Sequence, residues 1–182
     1  MKIVIATPFY PPETGVLGTY AEGLAVAFKK AGHEVEIAAF SSVKHLPPLV
    51  RHIAYFAQLR RRARGAGAML ALDTWSVGMP AFFAARQTGA PLLVRIGGDF
   101  LWEAYVERTK EPIRLSEFYR TSRRLSVKER IIHRFIRQLT GGANALLFNS
   151  KFQRDLWRKE YGFPAEKGRI LENFFPPRST SE

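Results

Sequence analysis

Two rhythms of apolar and polar residues run along this chain. Lys2-Ile3-Val4-Ile5-Ala6 is a short apolar run rich in β-branched residues, the pattern of a buried strand. Pro8, Pro11 and Pro12 forbid helix or central strand after it, so Thr7 to Gly18 reads as an ordered loop. Thr19-Tyr20-Ala21-Glu22 has capping-box spacing, and Tyr20, Leu24, Ala27, Phe28 and Ala31 then recur at helical spacing. Gly32 stands where a helix ends on a left-handed residue, and Val35 to Phe40 is a second apolar run. Strand, glycine loop, helix and strand make a βαβ unit with parallel strands.

The alternation continues. Pro47 and Pro48 suit a first helical turn, and Leu49, Val50, Ile53, Phe56 and Ala57 mark the face expected to cover the sheet. That helix ends in Arg60, Arg61, Arg62 and Arg64 before Gly65. Ala68 to Leu72 is a strand ending at Asp73-Thr74-Trp75, Ser76 to Thr88 a helix ending at Gly89, and Pro91 to Ile96 a strand. Residues 104–126 read as a partly helical excursion, with aromatic anchors among basic and acidic residues. Ser126-Val127-Lys128-Glu129 is a second capping box, Ile131, Ile132, Phe135, Ile136 and Leu139 give its helix a core face, and Gly141-Gly142 end it. Ala143 to Phe148 is the fifth strand, Ser150 and Gln153 repeat the cap spacing, and Arg169 to Asn173 is the last strand. The predicted fold is α/β: Rossmann-like, doubly wound, a mainly parallel sheet with helices on both faces.

Composition narrows the class. The chain has 182 residues, 46% of them apolar, enough for one substantial core. It has no cysteine, so disulfides and thiolate metal sites are excluded. His33, His45, His52 and His133 lack zinc-type spacing and no metal is expected; His33 reads as a solvated turn residue and His133 as structural. No run is long and apolar enough to span a bilayer, and the expected compartment is the cytoplasm. A formal net charge of +12 favours anionic partners: nucleic acid, phosphorylated metabolites or acidic lipid headgroups.

Candidate chemistry gathers at the strand ends, because the crevice of an open α/β sheet lies beyond the carboxyl ends of its strands. Gly15 and Gly18 let backbone approach a ligand there, or simply permit a tight turn. Gly97-Gly98 end the fourth strand, with Asp99 and Glu103 just beyond. A carboxylate there accepts a hydrogen bond from a sugar hydroxyl or a proton, or Asp99 caps the next helix. Asn149-Ser150-Lys151 join the fifth strand to a helix N-terminus, where Ser150 caps, faces a ligand, or both. The arginine cluster complements a helix dipole, solvates a face, or meets an acidic surface.

A resemblance carries more detail. Ile5-Ala6-Thr7-Pro8-Phe9-Tyr10-Pro11-Pro12-Glu13-Thr14-Gly15, then a helix, then Gly32-His33-Glu34-Val35, resembles the start of a family-4 glycosyltransferase of the GT-B type. Asn149-Ser150-Lys151-Phe152-Gln153, followed by Tyr161-Gly162-Phe163-Pro164 and Lys167, resembles the end of that family's N-terminal domain. The family usually has two adjacent glycines in the first loop; here Gly15-Val16-Leu17-Gly18 stand instead. It often carries a histidine before an acidic residue after the fourth strand; Gly98 occupies that place, and Asp99 is carried over as the catalytic candidate.

The resemblance implies one half of a GT-B fold. Residues 1–173 would be the Rossmann-like N-terminal domain and 174–182 the start of a linker. The donor-binding domain, in cis or on a separate chain, would be absent, and the chain inactive alone. It further implies retention, no bound metal or cofactor, and a nucleotide sugar as donor substrate. The acceptor would be a glycan or a lipid-linked acceptor of envelope polysaccharide synthesis, met in the cytoplasm or at the inner face of a membrane. The candidate substrate wall is Gly15, Val16, Leu17, Gly18, Gly97, Gly98, Glu103, Asn149, Ser150 and Lys151. A basic nucleic-acid-binding α/β domain is the alternative, disfavoured because no nucleic-acid motif organises the charge. A nicotinamide enzyme is disfavoured by the missing Gly-x-Gly-x-x-Gly.

Overall fold

A computed structural model of the chain describes residues 1–13, 15–121 and 123–172. The expected linker 174–182 and Asn173 lie outside the described residues. The strands are β1 (Lys2–Thr7), β2 (Glu34–Ala39), β3 (Ala68–Ala71), β4 (Leu92–Ile96), β5 (Ala145–Phe148) and β6 (Gly168–Ile170). The helices are α1 (Val16–Lys30), α2 (Pro48–Ala63), α3 (Gly78–Thr88), α4 (Phe100–Thr109), the single turn α5 (Leu115–Phe118), α6 (Val127–Gly142) and α7 (Lys151–Tyr161). All strand pairs are parallel, in the order β2-β1-β3-β4-β5-β6. The doubly wound Rossmann-like reading therefore holds. The order reverses between β1 and β3, the switch point where such sheets open a crevice.

Strand alternation divides the core in two. Val4, Ala6, Met69, Ala71, Leu92, Val94, Leu146 and Phe148 point to one face, packed by α2, α3, α4, α6 and α7. Ile3, Ile5, Leu70 and Leu72 point to the other and meet Ala21 and Ala25 of α1. Leu93 and Leu147 extend that second face and are only partly buried.

The helix over residues 48–63 turns a different side inward from the one its hydrophobicity suggests. Tyr55, Leu59 and Ala63 are buried, whereas Leu49, Val50 and Ile53 are 75%, 48% and 61% exposed. The Tyr55 hydroxyl donates to the Ala38 carbonyl at 2.7 Å and its ring meets Phe40 edge-on. A tyrosine with a satisfied hydroxyl and a close-packing alanine thus outrank three aliphatic residues on the first two turns.

Two helix boundaries also differ from expectation. α1 begins at Val16, not behind a capping box at Thr19: Gly15 is the N-cap, and its carbonyl accepts from Gly18 and Thr19 N–H at 2.9 and 3.1 Å. The helix is already propagating before Thr19 is reached. α6 runs through Gly141-Gly142 instead of stopping there, and Ala143 is its C-cap. Gly142 serves packing, since a Cβ on it would lie 2.5 Å from the Phe82 ring. The expected left-handed glycine does end other helices, at Gly32 (φ 79°), Gly89 (φ 73°) and Gly162 (φ 68°).

The 104–126 excursion is more ordered than its mixed composition suggests. Tyr105, Ile113 and Phe118 are buried, and Tyr105 donates to Glu111 Oε2 at 2.8 Å. Arg108 grips both oxygens of buried Glu129, at 2.6 and 2.9 Å. The same carboxylate closes the expected capping box of α6, accepting from the Ser126 N–H at 2.7 Å. His133 is structural, 3.0 Å from Glu160.

Candidate active site

Four strand ends feed one cleft of about 1300 Å³. The loop after β1 supplies Pro8 and Phe9, the loop after β3 Asp73 to Ser76, the turn after β4 Gly97 and Gly98, and the end of β5 Asn149. Helix α1 forms the long wall with Val16, Leu17, Thr19, Tyr20, Gly23, Leu24 and Ala27. The first loop is pinned from several sides. Thr7 Oγ1 donates to the Phe9 carbonyl at 2.8 Å, the Ser41 N–H donates to the Pro8 carbonyl, and the Lys44 ammonium lies 4.2 Å from the Phe9 ring centre.

Six of the candidate substrate residues line this cleft: Val16, Leu17, Gly97, Gly98, Glu103 and Asn149. Gly15 and Gly18 do not line it: Gly15 is exposed at the N-cap of α1, and Gly18 is buried in its first turn. A Cβ on Gly18 would sit 3.5 Å from the Phe9 carbonyl oxygen, and one on Gly15 the same distance from the Phe9 ring. Ser150 caps α7, accepting from the Gln153 N–H at 3.3 Å, and Lys151 is exposed on the first turn of α7.

Asp99 lies under the floor, 1% exposed. It caps α4: Oδ1 accepts from the Trp102 N–H at 3.0 Å, and Oδ2 from the Tyr119 hydroxyl at 2.8 Å. Tyr119 in turn meets the Tyr161 hydroxyl at 2.8 Å, which ties α4 to the far end of α7. Burial pushes the Asp99 carboxyl up to about 6, against the lowering effect of the Trp102 and Tyr119 hydrogen bonds. Burial and the neighbouring Asp99 push the Tyr119 phenol up, so it stays a donor.

One turn later the exposed Glu103 carboxylate reaches back over Gly98. The Gly98 carbonyl is held from beneath by the Gln153 amide at 3.2 Å. Backbone without a side chain at residue 98 is what lets the carboxylate occupy that corner.

The cleft holds groups that no motif in the sequence marks. Asp73 accepts from the Trp75, Val77 and Gly78 N–H groups at 3.0, 2.9 and 3.3 Å and from the Ser76 hydroxyl. Burial raises its carboxyl above the usual range, opposed by those bonds. Trp75 stacks on Phe100 with ring centres 5.3 Å apart, and the Arg95 guanidinium lies 4.4 Å from the Tyr20 ring centre. The available signal was positional: Asp73 and Trp75 follow the strand that flanks the switch point.

The family model for glycosyltransferase family 4 matches residues 17–178. No curated protein matches the chain. Among solved structures the chain is similar to Glycyrrhiza uralensis UGT73P12 complexed with glycyrrhetinic acid 3-O-monoglucuronide, at 15% identity and a TM-score of 0.46. That similarity covers 93% of this chain and 42% of the plant protein, so the chain spans less than half of that protein's length. With the family model matched over most of its residues, the chain belongs to glycosyltransferase family 4.

Proposed function

We propose that this chain is the acceptor-binding half of a retaining glycosyltransferase that moves a sugar from a nucleotide-sugar donor to an acceptor held in the cleft. The observation that carries the reading is the corner after β4 where Glu103 overhangs Gly98, at the mouth of a large cleft that also takes in the loops flanking the sheet's switch point. Glu103 is the group offered to an acceptor hydroxyl, as hydrogen-bond acceptor or proton acceptor. Asp99 is a positioning residue, which fixes the first turn of α4 and so the direction of Glu103. The N-termini of α1, α4 and α7 converge on the same edge, where their dipoles favour the charge of a departing diphosphate. Donor contacts come from a second domain, and a cleft that holds one substrate alone supplies no positioning between the two.

The working place we propose is an acidic membrane surface. The support is the outward cluster of Leu49, Val50 and Ile53 on the turns of α2 nearest the cleft loop, with exposed Arg60, Arg61 and Arg64 at the other end of the helix. Nucleic acid is not favoured: Arg108 and Arg123, within the most basic excursion, are held by Glu129 and Glu111.

The test joins residues 1–182 to a donor-binding domain of the family and screens nucleotide sugars for transfer. Transfer that needs both parts and is lost with Glu103→Gln is the expected outcome. Transfer by the 182 residues alone, or full activity of the Gln variant, overturns the assignment.

A further inference from the structure

We propose that the acceptor is an amphiphile, with a polar sugar-accepting head at the glycine mouth and a hydrocarbon tail laid along α1. This rests on the reading of the cleft as an acceptor site and names the class of acceptor. The cleft is continuous but chemically divided. Its mouth presents Gly97, Gly98, Glu103 and Asn149. Away from the mouth, α1 contributes Leu17, Tyr20, Gly23, Leu24 and Ala27. From residue 17 to residue 27 that wall runs roughly 15 Å along the helix axis.

A glycan chain carries hydroxyls on every face. Along this wall it would find the Thr19 and Tyr20 hydroxyls and the Arg95 guanidinium over the Tyr20 ring, and otherwise mostly carbon, and each hydroxyl that leaves water without a partner is a cost. A hydrocarbon has no such cost and gains with every methylene it buries. The cleft's roughly 1300 Å³ also exceeds the roughly 300–1000 Å³ of common small-molecule sites. A second, largely apolar cavity of about 230 Å³ shares Tyr20, Leu24 and Arg95 with the cleft and continues to Phe28, Leu93 and Leu147. Gly23 and Ala27 leave the flank of the wall low, and a Cβ on Gly23 would meet nothing within 4 Å.

The experiment is a calorimetric titration of the 182-residue chain. The probes are methyl, octyl, decyl and dodecyl β-D-glucoside and farnesyl phosphate, each below its micelle-forming concentration, with maltotriose as the glycan arm. Affinity should rise about tenfold from octyl to dodecyl, the change expected when about half of the added methylene surface leaves water. Gly23→Leu should erase that rise, while Val26→Leu, on an exposed part of α1 outside the cleft, should keep it. Gly23→Leu adds its side chain to open space, and its thermal unfolding checks that the fold survives.

Equal affinity for octyl and dodecyl, or a rise untouched by Gly23→Leu, overturns the inference. Maltotriose bound as tightly as dodecyl glucoside overturns it in favour of a glycan acceptor and leaves the acceptor reading standing. Intact chain-length dependence without sugar transfer by the two-domain enzyme overturns the acceptor reading instead.

Discussion

Oε1 of Glu103 lies where a Cβ on Gly98 would come within 2.8 Å of it. The two residues therefore define each other's place. Gly98→Ala should swing the carboxylate out of the corner at little cost in stability, because the obstructed atom is the far end of a flexible side chain. In the two-domain enzyme, kcat/KM should fall on the order of 10²-fold, with the melting temperature nearly unchanged. Wild-type kcat/KM in Gly98→Ala would show that the Glu103 position is not used.

Asp99 gives a pH signature. Its folded-state value of about 6 lies above the ordinary 3.8, so the folded protein binds the proton more tightly than the unfolded chain. The contribution of this group to stability is fully present below about pH 3.8 and is lost as pH rises through about 6. Asp99→Asn keeps an oxygen for the Trp102 N–H and does not titrate. The stability difference, wild type minus variant, should drop by up to about 3 kcal/mol from about pH 4 to about pH 7. Urea unfolding across that range measures it; a flat difference contradicts the buried carboxyl.

Two helical glycines should respond in opposite directions. A Cβ on Gly78 would lie 2.5 Å from the Asp73 carbonyl oxygen, a backbone atom that cannot step aside cheaply. Gly78→Ala should cost about 1–3 kcal/mol. Gly23→Ala meets open space within α1 and should stabilise by up to about 1 kcal/mol. Denaturant midpoints of the two variants decide; equal shifts would contradict the close approach of α3 to the Asp73 backbone.

The outward face of α2 predicts salt-sensitive binding to acidic vesicles. Ile53→Ser, at a 61% exposed position, should leave the fold intact and weaken co-sedimentation several-fold. Replacing Arg60, Arg61 and Arg64 by Gln should weaken it further, since cations near an acidic surface contribute on the order of 1 kcal/mol each. Equal binding to neutral and acidic vesicles, or no effect of either change, returns the cluster to a solvated helix end.

The sheet was legible in the sequence because a buried parallel strand needs only a short apolar run, and β1 through β5 have one, β-branched in β1, β2 and β4 but not in β3 or β5. The capping box at Ser126 was legible because its two hydrogen bonds are local. The orientation of α2 was not: it depends on where the Tyr55 hydroxyl finds the Ala38 carbonyl, a contact with another element. Gly142 misled for the same reason, since its neighbour is Phe82 of α3. At the cleft, the glycine and carboxylate turn after β4 could be read directly. Tyr20, Gly23 and Ala27 could not, because helical periodicity cannot say which side of a lone helix borders a gap.

The carboxylate of Glu129 answers to two masters, Arg108 of α4 and the N-terminus of its own helix at Ser126. Arg108 and Ser126 thereby feel each other through a third residue. Their energies are not separable: truncating Arg108 changes what the Ser126 N–H bond to the shared carboxylate is worth, and truncating Glu129 removes both at once. The docking of α4 and the nucleation of α6 are in this sense one cooperative event, written into a single side chain.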